Sequence, residues 1–412
     1  MSLFILIWNY LNAKKFNTGL NILLLSLGIS MITILILFNN QLEEKITANA
    51  RGIDLVVGAK GSPLQLILCS VFHIDFPTGN IKLKEADRLA KHRLVKSAIP
   101  LALGDSYQGF RIVGTNRHYA ELYSSEMAAG DWWKNDLEVT IGSAVANRAK
   151  LKVGDTFESA HGLTIEGHAH EENKYIVKGV LKSAGNITDN LILTNIESVW
   201  KVHETLDLDS IGIKTIAVPS RLVPTVEASD SIREITSLLI KYKNPIAAIQ
   251  LPRFINTQTN MQAASPAFET ARLFTLLGVG IEALMGFAYV LIFISALSIF
   301  IALYNSLKER RYDLAIMRSM GASRGLLFQI IILEGGVLTF IGACFGIGMG
   351  HLMLAGFVFA IGEGQKIGLT ALVFYWEELF ILGGSIILGV LCSIIPAIEA
   401  YRTDIHKVLA AN

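Results

Sequence analysis

The stretch HGLTIEGHAHEENK places His161, His168, His170, Glu171 and Glu172 within a dozen residues. Imidazole and carboxylate groups suit zinc, and a four-coordinate site can be assembled from such a segment. The spacing is not that of H-E-x-x-H, which sets two His one turn apart on a helix. Metal binding is expected if the segment folds over the ion, more so if His73 or Asp75 lies close by. The alternative is a solvated loop ahead of a strand at Tyr175. Other chemistries find no residues. No G-x-x-x-x-G-K-[ST] phosphate loop and no G-x-S-x-G elbow occurs, so neither ATP hydrolysis by that route nor acyl transfer is expected. GIGMG at 346–350 lies in an apolar run with no strand before it, so it is not read as a dinucleotide site. No catalytic residue is assigned, and apart from zinc no cofactor is expected in the chain.

A second constellation, RYDLAIMRSMGASRGLLFQ, begins at Arg311. Wound as a helix, it sets Asp313, Ile316, Met317 and Met320 on one side, with Arg310, Arg311 and Arg318 elsewhere. Gly321 is expected to stop the helix in the left-handed region, and Ser323 to cap the next one. A short helix offering Met and Ile beside fixed charges can dock into a protein groove. It can equally lie on a membrane with its arginines on lipid phosphates. Nearby, Glu334 falls in an apolar run. A carboxylate inside a bilayer costs ~2.5–3.5 kcal/mol on insertion scales and reads as functional, unless it reaches the interface or a polar group of a neighbouring helix.

What must position these groups is a membrane domain. The chain is 52% hydrophobic and 17% charged, its mean hydropathy is +0.46, and its formal net charge is +1. Those values place it among membrane proteins and give no polyanion-binding signature, so nucleic acid is not an expected partner. A spanning helix needs roughly 20 mostly apolar residues. Residues 20–38, 273–307, 325–361 and 379–399 qualify, giving four spans. Ahead of the first, residues 1–19 put Leu3, Phe4, Ile7, Trp8 and Leu11 on one face of an interfacial helix, and no small-x-small cleavage site follows, so the span is read as an uncleaved anchor. Lys14 and Lys15, the cluster at 308–324 and the tail at 400–412 carry the basic residues. By the positive-inside tendency these segments are cytoplasmic. Residues 39–272 and the short loop 362–378 then lie outside. The second span continues upstream through SPAFETARLF, with Ser265 and Pro266 as its start, and is expected to project as a stalk.

The external region reads as a mixed domain. KYIVKGVL (174–181) and NLILT (190–194) look like strands, whereas VEASDSIREITSLLIKY (226–242) has helical periodicity. LKVGDTF (151–157) sets a Gly-Asp turn before a strand. Cys69 is the one external cysteine, so no intrachain disulfide staples this domain. The fold expected is an α-helical membrane domain of four transmembrane helices with an α+β extracytoplasmic domain inserted between helices 1 and 2. Gly342, Gly346 and Gly350 in the third span, and Gly383, Gly384 and Gly389 in the fourth, let helices approach, whether within the bundle or between chains.

The segment ERRYDLAIMRSMGASRGLLFQIIILEGGVLTFIGACFGIGMG and the ending PAIEAYRTDIHKVL (396–409) resemble the FtsX-like domain of ABC transporter permeases. IGSAVANRAKLKVGDTF and YIVKGVLKSAGNITDNLILTNIESVW are similar to the periplasmic core domain of MacB-like permeases. The resemblance implies a mechanotransmission system in the bacterial cytoplasmic (inner) membrane, both termini cytoplasmic. Two permease chains, alike or different, would each hold an ATPase subunit that binds ATP and magnesium. The coupling helix would be 308–324, with Arg311, Tyr312, Asp313, Ile316, Met317, Arg318, Met320 and Gly321 as the gripping residues. MacB carries a fused ATPase and no such domain is expected here, so the ATPase would be a separate chain. A periplasmic adaptor or a lipoprotein would be the further partner in export or extraction. The alternatives are an FtsX-type regulatory scaffold that activates cell-wall hydrolases, against which the size of the external domain speaks, and metal-linked trafficking through the His161–Glu172 segment.

Overall fold

The computed structural model describes residues 3–161, 169–202, 233–361 and 369–402. They form two compact units, Met1–Leu42 with Leu277–Asn412, and Glu43–Leu276.

The first unit is helical. A short helix α1 (Leu3–Ala13) precedes α2 (Lys15–Ala50). The later helices here are α8 (Pro266–Glu309), α9 (Arg311–Ser319), α10 (Arg324–Ile361) and α11 (Trp376–Arg402). By length and composition, α2, α8, α10 and α11 are apolar enough to cross a membrane. Their outward faces keep large apolar side chains exposed, Phe293 and Phe359 among them, as suits hydrocarbon surroundings. Ile7 and Leu11 of α1, one helical turn apart, pack with Leu25, Ile29, Ile299, Leu303 and Leu338. Trp8 points away from that core and is exposed, so the expected apolar face of α1 is narrower than its composition suggests.

Close approach explains the glycines of α10. A Cβ at Gly346 would stand 2.7 Å from Ile29 Cβ, and one at Gly350 would stand 2.8 Å from Thr33 Cβ. Gly342 likewise faces Leu25, so this stripe seats α2. Gly389 of α11 lies against Gly335 and Thr339 of α10, while Gly383 and Gly384 face open space. At the start of α11 the incoming segment is fastened to α2, where Gln41 Nε2 donates to the Thr370 carbonyl at 2.9 Å and Gln41 Oε1 accepts from the Thr370 amide at 2.8 Å.

The second unit is α+β. Its strands are β1 (Leu55–Ala59), β2 (Ile81–Lys82), β3 (Val95–Tyr107), β4 (Phe110–Gly114), β5 (Met127–Gly130) and β6 (Glu138–Ile141). They continue with β7 (Thr156–His161), β8 (Ala169–Leu181), β9 (Leu191–Thr194), β10 (Glu234–Ile235), β11 (Ser237–Tyr242) and β12 (Met261–Ala264). The main sheet runs β12-β1-β11-β3-β4-β9-β6-β8-β5, with β7 paired to β3 and β8, and β10 pairs with β2 separately. Between the strands lie α3 (Pro63–Ser70), α4 (Leu83–Ala90), α5 (Arg117–Leu122), α6 (Ser143–Ala149) and α7 (Ala247–Gln258). One core joins Leu55, Val57, Leu238 and Ile240 to Leu89, Leu251 and Ile255, and a second joins Phe110, Ile112, Ile141, Tyr175 and Ile192.

Strand β8 covers the predicted 174–181, and β9 covers most of 190–194. The Gly-Asp turn is present, with Gly154 at φ +99° and Asp155 Oδ2 accepting from the Lys152 amide at 2.8 Å. The helix expected over 226–242 is not found. Residues 226–232 lie outside the described set, and the rest holds strands β10 (Glu234–Ile235) and β11 (Ser237–Tyr242). β11 runs between β1 and β3 with Leu238, Leu239 and Ile240 all buried. A strand covered on both faces loses its alternation, and a continuous apolar run then mimics a helix.

The outer edge of β12 is closed by side chains. Asn256 Oδ1 accepts from the Ala263 amide at 2.7 Å, and Asn256 Nδ2 donates to the Ala263 carbonyl at 3.3 Å. Thr259 Oγ1 accepts from the Met261 amide at 3.1 Å.

A buried polar group sits beside α3. His73 Nε2 lies 2.8 Å from the Tyr119 hydroxyl, and Arg111 Nη1 lies 3.5 Å from Cys69 Sγ. Burial, with the Arg111 charge adding to it, lowers the His73 pKa to about 3, and burial pushes the Cys69 thiol up to about 11. All three cysteines are free.

Candidate functional site: the α8–α9–α10 turn

The amphipathic segment singled out in the sequence is a separate helix. α8 ends at Glu309, Arg310 leaves the helical region at φ −97° and ψ 9°, and α9 runs from Arg311 to Ser319. Gly321 stops it at φ +102°, with the Ala322 amide returning to the Met317 carbonyl at 3.0 Å. The left-handed conformation suits glycine, which has no Cβ to clash. Ser323 Oγ accepts from the Leu326 amide at 3.2 Å and caps α10.

The faces of α9 divide sharply. Leu314 and Ala315 are buried, and Met317 packs with Leu314 against Leu307, Leu327, Ile330 and Ile331. Tyr312, Asp313, Ile316 and Met320 are exposed, Met320 at 82%. Tyr312, Ile316 and Met320 follow one another at helical spacing and form an outward stripe. Of the residues expected on one side, Asp313, Ile316 and Met320 thus face out, whereas Met317 faces the bundle. Arg318 is half-buried.

Ion pairs hold this turn in place. Arg310 Nη1 donates to Glu334 Oε1 at 3.4 Å, both side chains being largely buried. Arg311 pairs with Glu399 of α11, and Lys14 pairs with Glu309. Glu334 therefore meets a charged partner from the turn itself. Sequence reasoning missed Glu309, Glu399 and Tyr10, whose ring lies 3.9 Å from Arg310 Cζ. Their partners come from distant parts of the chain, and no local spacing marks them.

The His-rich segment is placed by its backbone alone. β7 and β8 pair antiparallel with Ala160 opposite Ala169, so His161 ends β7 and His170, Glu171 and Glu172 belong to β8, which begins ahead of the strand start expected near Tyr175; residues 162–168 lie outside the described set. His168 lies outside the described residues. Among the described residues no three His, Cys, Asp or Glu are grouped to hold a metal ion. His73 is engaged with Tyr119.

Comparison with known proteins matches two domain models along the chain. The MacB-like periplasmic core domain matches residues 18–238, more than half of the chain, and the FtsX-like permease C-terminal domain matches residues 285–405. The chain belongs to the FtsX/MacB permease family. A relative of this FtsX/MacB permease, an uncharacterized ABC transporter permease of Methanocaldococcus jannaschii, is 24% identical over 250 residues, covering 60% of this chain and 55% of that protein. The chain thus spans about half the length of that relative. The periplasmic region of MacB from Actinobacillus actinomycetemcomitans is a similar solved structure, at 12% identity and a TM-score of 0.34, covering 56% of this chain and 97% of that one. Another is the extracellular domain of the noncanonic ABC-type transporter YknZ from Gram-positive bacteria, at 13% identity and a TM-score of 0.29, covering 52% and 99%.

Proposed function

We propose that this FtsX/MacB permease is the membrane subunit of an ABC transporter and that α9 is the helix a partner ATPase grips. The observation that carries this reading is the outward stripe of Tyr312, Ile316 and Met320 on a helix whose other face is fixed by Leu314, Ala315 and Met317. A stripe exposing Met and Ile beside Asp313 suits a groove with an apolar floor and a polar rim. ATP and magnesium bind the partner. Movement of the ATPases on nucleotide binding displaces α9 and is passed on to the external domain, where export or extraction is done. The chain crosses the cytoplasmic membrane four times, its basic turn and both termini inside and the Glu43–Leu276 unit outside, inserted between the first and second spans. A second permease chain completes the assembly, and an adaptor or a lipoprotein is the external partner. Zinc binding by the β7–β8 hairpin is a separate proposal, favoured by the pairing that brings His161 and His170 onto neighbouring strands. Calorimetric titration of the full chain with zinc tests it, and no heat above that of dilution would end it.

The experiment for the main reading is affinity purification of the tagged chain from native membranes, with mass spectrometry of what comes with it. An ATPase together with an adaptor or a lipoprotein supports transport or extraction. An ATPase with a cell-wall hydrolase would instead assign a regulatory scaffold, and absence of any ATPase would overturn the role given to α9.

A further inference from the structure

Arg310 stands at the one non-helical residue between α8 and α9 and touches two other helices. Its guanidinium lies over the Tyr10 ring of α1, Cζ to centroid 3.9 Å, and Nη2 donates to the Tyr10 carbonyl at 3.3 Å. Nη1 reaches Glu334 of α10 at 3.4 Å. The side chain is only 14% exposed, which strengthens both the cation–π contact and the charged hydrogen bonds. Beside it, Lys14 at the α1–α2 junction pairs with Glu309, and Leu6 and Tyr10 pack into the cluster that also holds Leu314 and Met317. The inner face of α9 and the Leu6–Tyr10 side of α1 thus share one cluster, with Arg310 bridging the two helices.

Helix α1 is too short to span a bilayer, so nothing in a spanning role accounts for this attachment. A planar fork stacked on a ring and hydrogen-bonded at two edges is a geometry that lysine cannot reproduce. Taking α9 as the ATPase-docking helix, we propose that Arg310 and Tyr10 are positioning residues for energy coupling. They make α1 move with α9 as one body and pass the displacement to α10 through Glu334. The role belongs to transmission and not to ATPase binding, because neither residue lies on the outward stripe of α9.

The test uses the full chain with the ATPase that co-purifies with it, reconstituted in lipid nanodiscs. Permease-dependent ATP hydrolysis is measured for wild type, Y10F, Y10A and R310K. All four are expected to retain the ATPase at wild-type stoichiometry. Y10F, which keeps ring and carbonyl, is expected to match wild type. Y10A and R310K are expected to keep the KM for ATP and to lose about tenfold in kcat, the loss of a contact that matters to the moving assembly and not to nucleotide binding. Wild-type kcat in both Y10A and R310K would overturn the proposal while leaving the docking role of α9 intact. Loss of the ATPase from both would assign the pair to docking and overturn it as well. If Y10A fails to accumulate in the membrane, R310K against Y10F decides by the same criterion. A wild-type chain that brings down no ATPase overturns the docking role and this proposal together.

Discussion

His351 of α10 and Glu378 of α11 form a buried pair, Nε2 to Oε2 3.0 Å, and the other ring nitrogen of His351 lies 2.6 Å from the Ala371 carbonyl. Glu378 also accepts from the Tyr375 amide at 3.2 Å, which ties the first turn of α11 to the segment leading into it. Phe374 covers the imidazole at 4.3 Å. Residues 371–378, which lead into and open α11, are therefore held against α10 at His351. H351A should cost about 1.5–3 kcal/mol, the range for hydrogen bonds to charged groups, because it leaves the Glu378 carboxylate buried without its partner. Thermal unfolding of the detergent-solubilised chain, followed by tryptophan fluorescence, measures it. An unchanged midpoint would show that the pair does not hold the start of α11 against α10.

The proposed docking role of the outward stripe predicts a division between neighbouring residues of α9. I316D and M320D should leave the protein folded and weaken ATPase retention, each by about thirtyfold if it removes a contact worth about 2 kcal/mol. M317D should instead lower the yield of folded protein, since it drives a carboxylate into the cluster of Leu307, Leu327 and Ile331. The readouts are the ATPase-to-permease ratio after affinity purification and the thermal midpoint of the purified chain.

The glycines of α10 give a sharper contrast within one helix. A Cβ at Gly346 meets Ile29 Cβ at 2.7 Å and the Ser26 carbonyl at 3.0 Å, whereas a Cβ at Gly348 meets nothing within 4 Å. G346L should destabilise the chain by about 1–3 kcal/mol through forced separation of α2 from α10. G348L should be close to neutral in the same thermal assay. Equal behaviour of the two would contradict the packing of α2 on this face.

Acid should loosen the α+β unit through His73. Its pKa is about 3 when folded, against ~6.5 in an unfolded chain, so between those values the unfolded state holds the extra proton. Stability from this group is present above ~6.5 and falls as pH drops towards 3, by about 2 kcal/mol on reaching pH 5. H73N removes the titration, and asparagine tolerates the residue's φ of +56°. Denaturation midpoints of wild type and H73N measured between pH 7 and 5 should diverge, wild type falling more steeply. Parallel slopes would remove His73 as the cause.

The parts of this molecule that local physics controls could be read from its residues. α2, α8, α10 and α11 announce themselves because a long unbroken apolar run winds into a long apolar helix, and the Gly321 stop and Ser323 cap follow from backbone sterics and an unsatisfied amide. The strand at β11 was hidden because burial on both faces erases the period of two that distinguishes a strand. The phase of α9 was hidden for a related reason. Ile316 and Met317 are equally apolar neighbours, and only the position of α8 and α10 decides which of them turns inward. Arg310 with Glu334 and Tyr10 is a tertiary fact, joining residues 24 and 300 positions apart. No periodicity connects such positions.

The side-chain closure of β12 has a consequence for how the α+β unit can meet other proteins. A strand arriving at this edge would find the amide and carbonyl of Ala263 already engaged by Asn256 and the amide of Met261 by Thr259. Peptide capture by strand addition, and stray edge-to-edge polymerisation of neighbouring copies, both need those groups vacant. Recognition along this border must be written in side chains, so it can discriminate among visitors by shape and charge and is indifferent to any extended backbone that happens to pass.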